Sequence, residues 1–322
     1  MAKKNFLITG GSGFIGFNIA KSLIEKHNVT IFDNNLRGSF DKFIFIKNKV
    51  KIINGDIRDF HAVNKSLKCI NAVIHLAYIN GTNFFYTKPT EVLDVATKGI
   101  INVIDGCIKN NIKELYLASS SEVYQKPEKV PTKEDDVILK IPDIYNPRYS
   151  YGGGKILTEL FGIHYGKKYF KKLIIFRPHN VYGEDMGLEH VIPQLIIKAK
   201  NLHKNKNFYI KGSGNEIRSF IHIDDFINAF NLLVEKGKHL QIYNIGTSDK
   251  IKIKVLANLI LKLMNRKANI KKSPIAYGGT KVRCPDISKI KKLGFYPKVS
   301  LNEGLKKTMA WYNKNITTSL LK

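Results

Sequence analysis

Gly10-Gly11-Ser12-Gly13-Phe14-Ile15-Gly16 decides the reading of this chain. It follows the apolar run Asn5–Thr9, which reads as a strand, and it opens the segment Ile15–Lys26, which reads as a helix. Glycines at such a turn let the backbone bend sharply and approach an anion. The helix behind them offers free N–H groups and the positive end of its dipole. A glycine turn alone is common. A strand before it and a helix after it are the context in which it reads as the pyrophosphate cradle of a dinucleotide. Gly10, Gly13, Phe14, Ile15 and Gly16 are the cofactor-binding candidates of this loop.

The next strand-like run, Val29–Phe32, leads to Asp33, about 20 residues past the loop, where a ribose-binding carboxylate belongs. Asp33, with Asn34 beside it, would accept from the ribose hydroxyls and repel a 2′-phosphate, which points to NAD. Arg37 is able to pair with such a phosphate and points the other way. Asp56-Ile57, after the run Lys51–Asn54, is a candidate for the adenine edge.

Further strand-like runs are Ala72–Leu76, Glu114–Ala118 and Lys172–Phe176, with helix-length segments Val92–Lys109 and Lys155–Tyr169 between them. Such alternation predicts an α/β fold with a Rossmann-type, doubly wound parallel sheet. After Arg177-Pro178 the pattern changes. Val181–Gly187 is turn-rich and Val191–Lys200 helical. Tyr209–Gly214 and Asn215–Ile221 read as short strands, then the helix Asp224–Glu235 and the strand Gln241–Asn244 resume the alternation. Helices Ile253–Met264 and Leu301–Asn313 flank a polar stretch, Tyr277–Pro285. We therefore expect residues 1–178, rejoined by 219–247, to form the cofactor domain. A smaller, discontinuous C-terminal lobe, 179–218 and 248–322, would hold substrate.

A chain of 322 residues, 43% of them apolar, is long enough to bury a sizeable core. No run approaches the ~20 uninterrupted apolar residues of a membrane span, and the first apolar run is too short for a signal peptide. A cytoplasmic protein is expected. Cys69, Cys107 and Cys284 are far apart and fit neither a disulfide framework nor a metal site. The net charge of +27 raises nucleic acid as a partner. But the lysines are scattered and the aromatics sit at apolar-periodic positions, so no nucleic-acid partner is expected. The positive field favours an anionic substrate.

Tyr151 and Lys155 stand at i and i+4 and share a helix face. A neighbouring ammonium lowers the pKa of a phenol, and an ionised tyrosine serves as a general base toward a hydroxyl. Ser119-Ser120-Ser121-Glu122-Val123-Tyr124 follows a strand directly, at the edge where open parallel sheets bind ligands. Gly152-Gly153-Gly154 fills the space between Tyr151 and Lys155. Each glycine costs about 1 kcal/mol in a helix, so either this turn is frayed or substrate or cofactor packs on its backbone; we favour the second.

Together these residues resemble the extended short-chain dehydrogenase/reductase family, the nucleotide-sugar epimerases and dehydratases. The resemblance continues through His75-Leu76-Ala77, Arg177-Pro178-His179-Asn180-Val181-Tyr182-Gly183, Arg218-Ser219-Phe220-Ile221-His222-Ile223-Asp224-Asp225, Tyr243-Asn244-Ile245-Gly246 and Arg283-Cys284-Pro285-Asp286. It implies NAD as cofactor and a nucleotide-diphosphate sugar as substrate. It makes Ser120 the partner of the reacting hydroxyl, Tyr151 the base, and Lys155 the group that binds the nicotinamide ribose. Leu76, Ala77 and Lys88 fall near the cofactor. Asn180, Arg218 and Arg283 fall on the substrate's phosphates and Asp286 on its ribose, with Tyr78, Ser121 and His179 about the sugar. The arginines stand independently, because a planar fork suits phosphate oxygens and arginine is scarce in this lysine-rich chain.

There are departures from the family. Tyr78 replaces the second alanine of His-Leu-Ala-Ala, and Ala96 stands where relatives have asparagine. Ser121-Glu122 replaces the Asp-Glu of 4,6-dehydratases, which counts against dehydration. Ser-Glu also occurs in relatives that decarboxylate UDP-glucuronate. A 4-epimerase working through a 4-keto sugar is the expected activity, with lyase and net oxidoreductase as alternatives. The resemblance also implies a homodimer through helices Val92–Lys109 and Lys155–Tyr169. No metal is expected.

Overall fold

A computed structural model of the chain describes residues 2–136, 143–203, 206–274 and 279–316. Seven parallel strands form one sheet: β1 (Asn5–Thr9), β2 (Asn28–Asp33), β3 (Val50–Asn54), β4 (Ala72–His75), β5 (Glu114–Ala118), β6 (Lys172–Pro178) and β7 (Gln241–Ile245). Their order across the sheet is β7-β6-β5-β4-β1-β2-β3. Both faces are covered, so the inner strands are continuous apolar runs; Phe6, Leu7 and Ile8 of β1 are all fully buried.

Alternation along β1 assigns the two faces. Phe6 and Ile8 pack with Ile19 of α1 (Phe14–Leu23) and with Phe226 and Phe230 of the helix Ile223–Lys236. Leu7 packs on the other side with Val63 of α2 (Phe60–Ser66) and Val92, Ile100 and Val103 of α3 (Pro89–Lys109), where α4 (Tyr149–Tyr169) also lies. The order reverses between β1 and β4. The crevice beyond the strand ends at such a reversal is where open α/β sheets bind ligands.

α4 starts six residues before the Lys155 expected from the sequence, and so carries Gly152-Gly153-Gly154 inside its first two turns. Helix α1 ends at Leu23, short of Lys26. The segment after β6 builds a separate apolar cluster from Leu195 and Ile196, Phe208 and Ile210, Leu256 and Ile260, and Leu305 and Met309. The expected strands there are shorter. Phe208–Lys211 pairs with Ile270–Ser273, and Ile217–Arg218 pairs with Ile251–Lys252 on one side and Val282–Arg283 on the other. The last pairing sets Arg218 directly opposite Arg283. Of the polar stretch Tyr277–Pro285, the first two residues lie outside the described residues. No described helix is long and apolar enough to cross a membrane. Among the described residues no cluster of potential metal ligands occurs.

Candidate active site

A cavity of about 750 Å³ opens at the strand ends, between the sheet and the separate cluster. Its floor is the glycine loop. Gly10 has φ +71°, and a Cβ there would lie 2.6 Å from the Ala77 backbone nitrogen, so the turn admits no larger residue. Gly13 caps α1 without any side-chain hydrogen bond, and the first turn of α1 holds no acid. The N–H groups of that turn therefore remain open to an anion. Asp33 is fixed by the amides of Ser12 (3.0 Å) and Asn35 (2.8 Å). Asp56 is gripped by Arg58 at 2.7 and 3.0 Å and by Asn34 at 3.1 Å. The Arg58 hydrogen bonds hold its carboxyl down to about 2. Ile57, Leu76 and Ala77 complete this end.

At the other end stands Tyr151. Its ring stacks on Phe85 (centroids 4.7 Å) and meets Tyr78 edge-on (5.1 Å). Burial pushes its hydroxyl up to about 12, while a hydrogen bond with Ser120 acts in the opposite direction. The expected lowering by Lys155 is not what sets it; the cost of a buried phenolate dominates, and the groups that oppose it are Ser120, Arg37 and Arg283. Lys155 is itself buried and donates to the Ala118 carbonyl at 2.7 Å. Burial pulls its pKa down to about 7 against the opposing charge of Glu159. Ser120 is placed by β5 and caps the short turn Ser121–Tyr124, accepting from the Glu122 amide at 3.1 Å.

The glycine run of α4 has a different explanation from the expected one. A Cβ on Gly152 would lie 2.2 Å from Gln125 Nε2, and one on Gly154 would lie 2.0 Å from the Tyr78 hydroxyl. The chain's own side chains pack on this backbone, and the turn is fully helical.

Three guanidinium groups surround one carboxylate in the roof. Glu122 Oε1 accepts from Arg283 at 2.8 Å and Arg148 at 3.3 Å. Burial would raise its carboxyl, but Arg283 and then Arg148 outweigh that and hold it below the usual range. Arg218 donates to the carbonyls of Ile217 and Thr280, each at 2.8 Å, and makes no ion pair among the described residues. Burial first, and Arg283 next, lower it to about 10. Three cations against one anion leave an excess charge facing the cavity, the condition for holding a dianion such as a diphosphate. Asn180 lies beside them in the left-handed region (φ +42°), its side chain donating to the Ser219 carbonyl at 2.8 Å.

Three sequence-predicted residues are not brought to the cavity. His179 is turned inward, 3.0 Å from Asn244 Oδ1, and burial drives it down to about 3. Lys88 is exposed and pairs with Glu91 at 3.5 Å. Asp286 accepts from the Ser288 amide at 2.7 Å. All the others line the cavity, Ser121 and Tyr78 included.

A family model for the NAD-dependent epimerase/dehydratase family matches residues 6–246. The chain belongs to that family. A putative UDP-glucose 4-epimerase of Methanocaldococcus jannaschii is 30% identical, over 97% of this chain and 99% of that protein. A UDP-N-acetyl-α-D-glucosaminuronate decarboxylase of Bacillus cytotoxicus is 29% identical, over 97% and 98%. Among solved structures, UDP-N-acetylglucosamine 4-epimerase from Methanobrevibacter ruminantium M1, in complex with UDP-N-acetylmuramic acid, superposes with a TM-score of 0.88 at 27% identity, covering 98% of this chain and 100% of that one. The relatives' names span more than one reaction.

NAD is the cofactor of this family, and the residues here fit it. The first turn of α1 is uncapped and free of acids, Asp33 is pre-set, and the buried Ser12 hydroxyl has no partner among the described residues. Arg37, the residue that pointed to NADP, is engaged elsewhere: it pairs with Glu189 at 3.1 Å and lies over the Phe84 ring at 5.1 Å. Lys42 pairs with Asp185 at 2.6 Å. Sequence reasoning missed Arg148, Glu189 and Asp185. Arg148 carries the same signal as the other arginines, a scarce residue kept beside a candidate site. The two acids carry no local signal, because their partners lie over 140 residues away.

Proposed function

We propose that this family member is a nucleotide-diphosphate-sugar 4-epimerase. The observation that carries this reading is the state of Glu122. Pinned between Arg283 and Arg148 and held ionised, it has no proton to give in place of the acid that 4,6-dehydratases carry where this chain has Ser121, and its charge is spent on two arginines rather than offered to a substrate. The proton-transfer machinery that remains is Ser120, Tyr151 and Lys155. Arg218, Arg283 and Asn180 would seat the diphosphate and set the sugar toward Tyr151. Ser120 would align the C4 hydroxyl, and Tyr151 would take its proton and later return it. NAD, when bound, supplies the hydride acceptor and a positive charge that favours the ionised tyrosine. Phe85 and Tyr78 wall the site with rings and limit water around Tyr151. A homodimer through α3 and α4 is part of the proposal, since Leu93 and Leu160 are exposed on these helices.

Two variants test the reading on UDP-linked hexoses and uronates. Tyr151→Phe should reduce epimerisation by a factor of about 10²–10⁴, the worth of a general base. Glu122→Gln should leave epimerisation within about tenfold, the cost of roughly one hydrogen bond. A Tyr151→Phe protein that epimerises at the wild-type rate would sink the assignment. A wild-type protein that releases CO₂, and loses that activity with Glu122→Gln, would move it to the lyases.

A further inference from the structure

Tyr78 and Ala96, two departures from the family pattern, meet in space. The Tyr78 hydroxyl is buried, has no hydrogen-bond partner among the described residues, and points at Gly154. A Cβ on Gly154 would lie 2.0 Å from that hydroxyl and 2.6 Å from the Ala96 Cβ. A tyrosine at 78 therefore leaves no room for a side chain at 154, where the small Ala96 crowds the same point. The ring has a second neighbour. Lys155 Nζ lies 3.8 Å from its centroid, close enough for a direct cation–π contact, and 5.8 Å from that of Tyr151.

We infer that Tyr78 is a positioning residue for the Tyr151–Lys155 pair, its ring clamping the Lys155 ammonium and its edge bracing Tyr151, with Gly154 and Ala96 making the room. The physical argument is the environment of Nζ. Among the described residues it has one hydrogen bond, to the Ala118 carbonyl at 2.7 Å, and the Lys155 side chain is almost wholly buried in the cavity wall. The groups facing it are Glu159 one turn along α4, His75 on β4, which burial keeps neutral, and the rings of Tyr78 and Tyr151. Glu159 is itself committed to Arg177 at 2.6 and 2.8 Å. Beyond the Ala118 carbonyl, the face of Tyr78 at 3.8 Å is the closest uncommitted negative potential to the ammonium among the described residues, and it acts hardest where water is scarce. An unsatisfied buried hydroxyl is costly, so an aromatic ring here needs a compensating gain. The contact with Lys155 is that gain.

The inference rests on reading Tyr151 and Lys155 as the proton-transfer pair, but its test needs no turnover. The full chain is labelled with ¹³C at the lysine ε carbons and titrated by NMR. Surface lysines titrate near 10.4, so the signal that moves near neutral pH and vanishes in Lys155→Met is Lys155. Position 78 is replaced by phenylalanine and then by its mono-, di- and trifluorinated forms, which keep the ring's shape while draining its negative face. The midpoint should stay within about 0.3 of wild type in Tyr78→Phe and fall by about one pH unit across the fluorinated series. A midpoint that fluorination does not move, with thermal unfolding unchanged, would overturn the inference. So would a midpoint that Tyr78→Phe already shifts by the full amount, since the hydroxyl and not the ring would then be responsible.

Discussion

Lys155 should make the protein less stable at neutral pH than at alkaline pH, by a few kcal/mol. The ammonium is buried against Ala118 and two rings, and its pKa falls from 10.5 to about 7. In an unfolded chain the same lysine titrates at its ordinary value. Between those values the unfolded state binds more protons than the folded one, so stability rises with pH in this window. Below pH 7 both states are protonated and the full penalty, about 5 kcal/mol at 1.36 kcal/mol per unit, is present. By pH 9.5 most of it has lifted, leaving about 1.4 kcal/mol, a gain of about 3 kcal/mol over pH 6. Many other groups titrate across this range, so the measurement is a difference. Urea unfolding of wild type and of Lys155→Met is compared at pH 6, 8 and 9.5, all chosen to bracket the window. Methionine fills the same channel without a charge. The wild type should gain about 3 kcal/mol on the variant between pH 6 and pH 9.5. A difference that stays constant across the three pH values would mean that Lys155 titrates alike in the folded and unfolded chain, and one that runs the other way would mean that Lys155 is stabilised as a cation.

Other perturbations follow from the same contacts. Gly154→Ala forces a Cβ into the Tyr78 hydroxyl and should cost about 1–3 kcal/mol by chemical denaturation, despite alanine's better helix propensity. Glu159→Ala leaves the Arg177 guanidinium buried without its bidentate partner and should cost about 3–5 kcal/mol, a loss that Arg177→Ala in the same background would not double. Glu189→Ala releases Arg37 and should tighten NADP binding by about tenfold in calorimetry, the worth of roughly one charge-assisted hydrogen bond, with NAD binding little changed.

Local rules carry far in this sequence. The run Asn5–Thr9, the glycine loop and Asp33 are legible because each obeys a short-range requirement: an apolar strand, a turn without Cβ, a carboxylate at a strand end. Tyr151 and Lys155 are legible because helical spacing alone puts them on one face. What the sequence hides is long-range pairing. His179 belongs to the same run as Asn180, yet it turns into the core because Asn244 of β7 and the Tyr124 ring receive it. Asp286 sits two residues before Ser288 and spends its carboxylate on that turn. The glycines of α4 signal close packing, but only the fold shows that the packing partners are Gln125 and Tyr78. Arg37 reads as a phosphate ligand until Glu189, from the other side of the cavity, neutralises it.

In the proposed reaction a C4 hydroxyl is oxidised and reduced again within one site. The direct measurement is incubation of the purified protein with a panel of UDP- and dTDP-linked sugars in D₂O, followed by proton NMR of the sugar ring. A 4-epimerase inverts C4 with no deuterium incorporated, because the hydrogen that leaves carbon is the one that returns. Deuterium at C6 of a 4-keto product, or a pentose formed from a uronate with loss of CO₂, would contradict it.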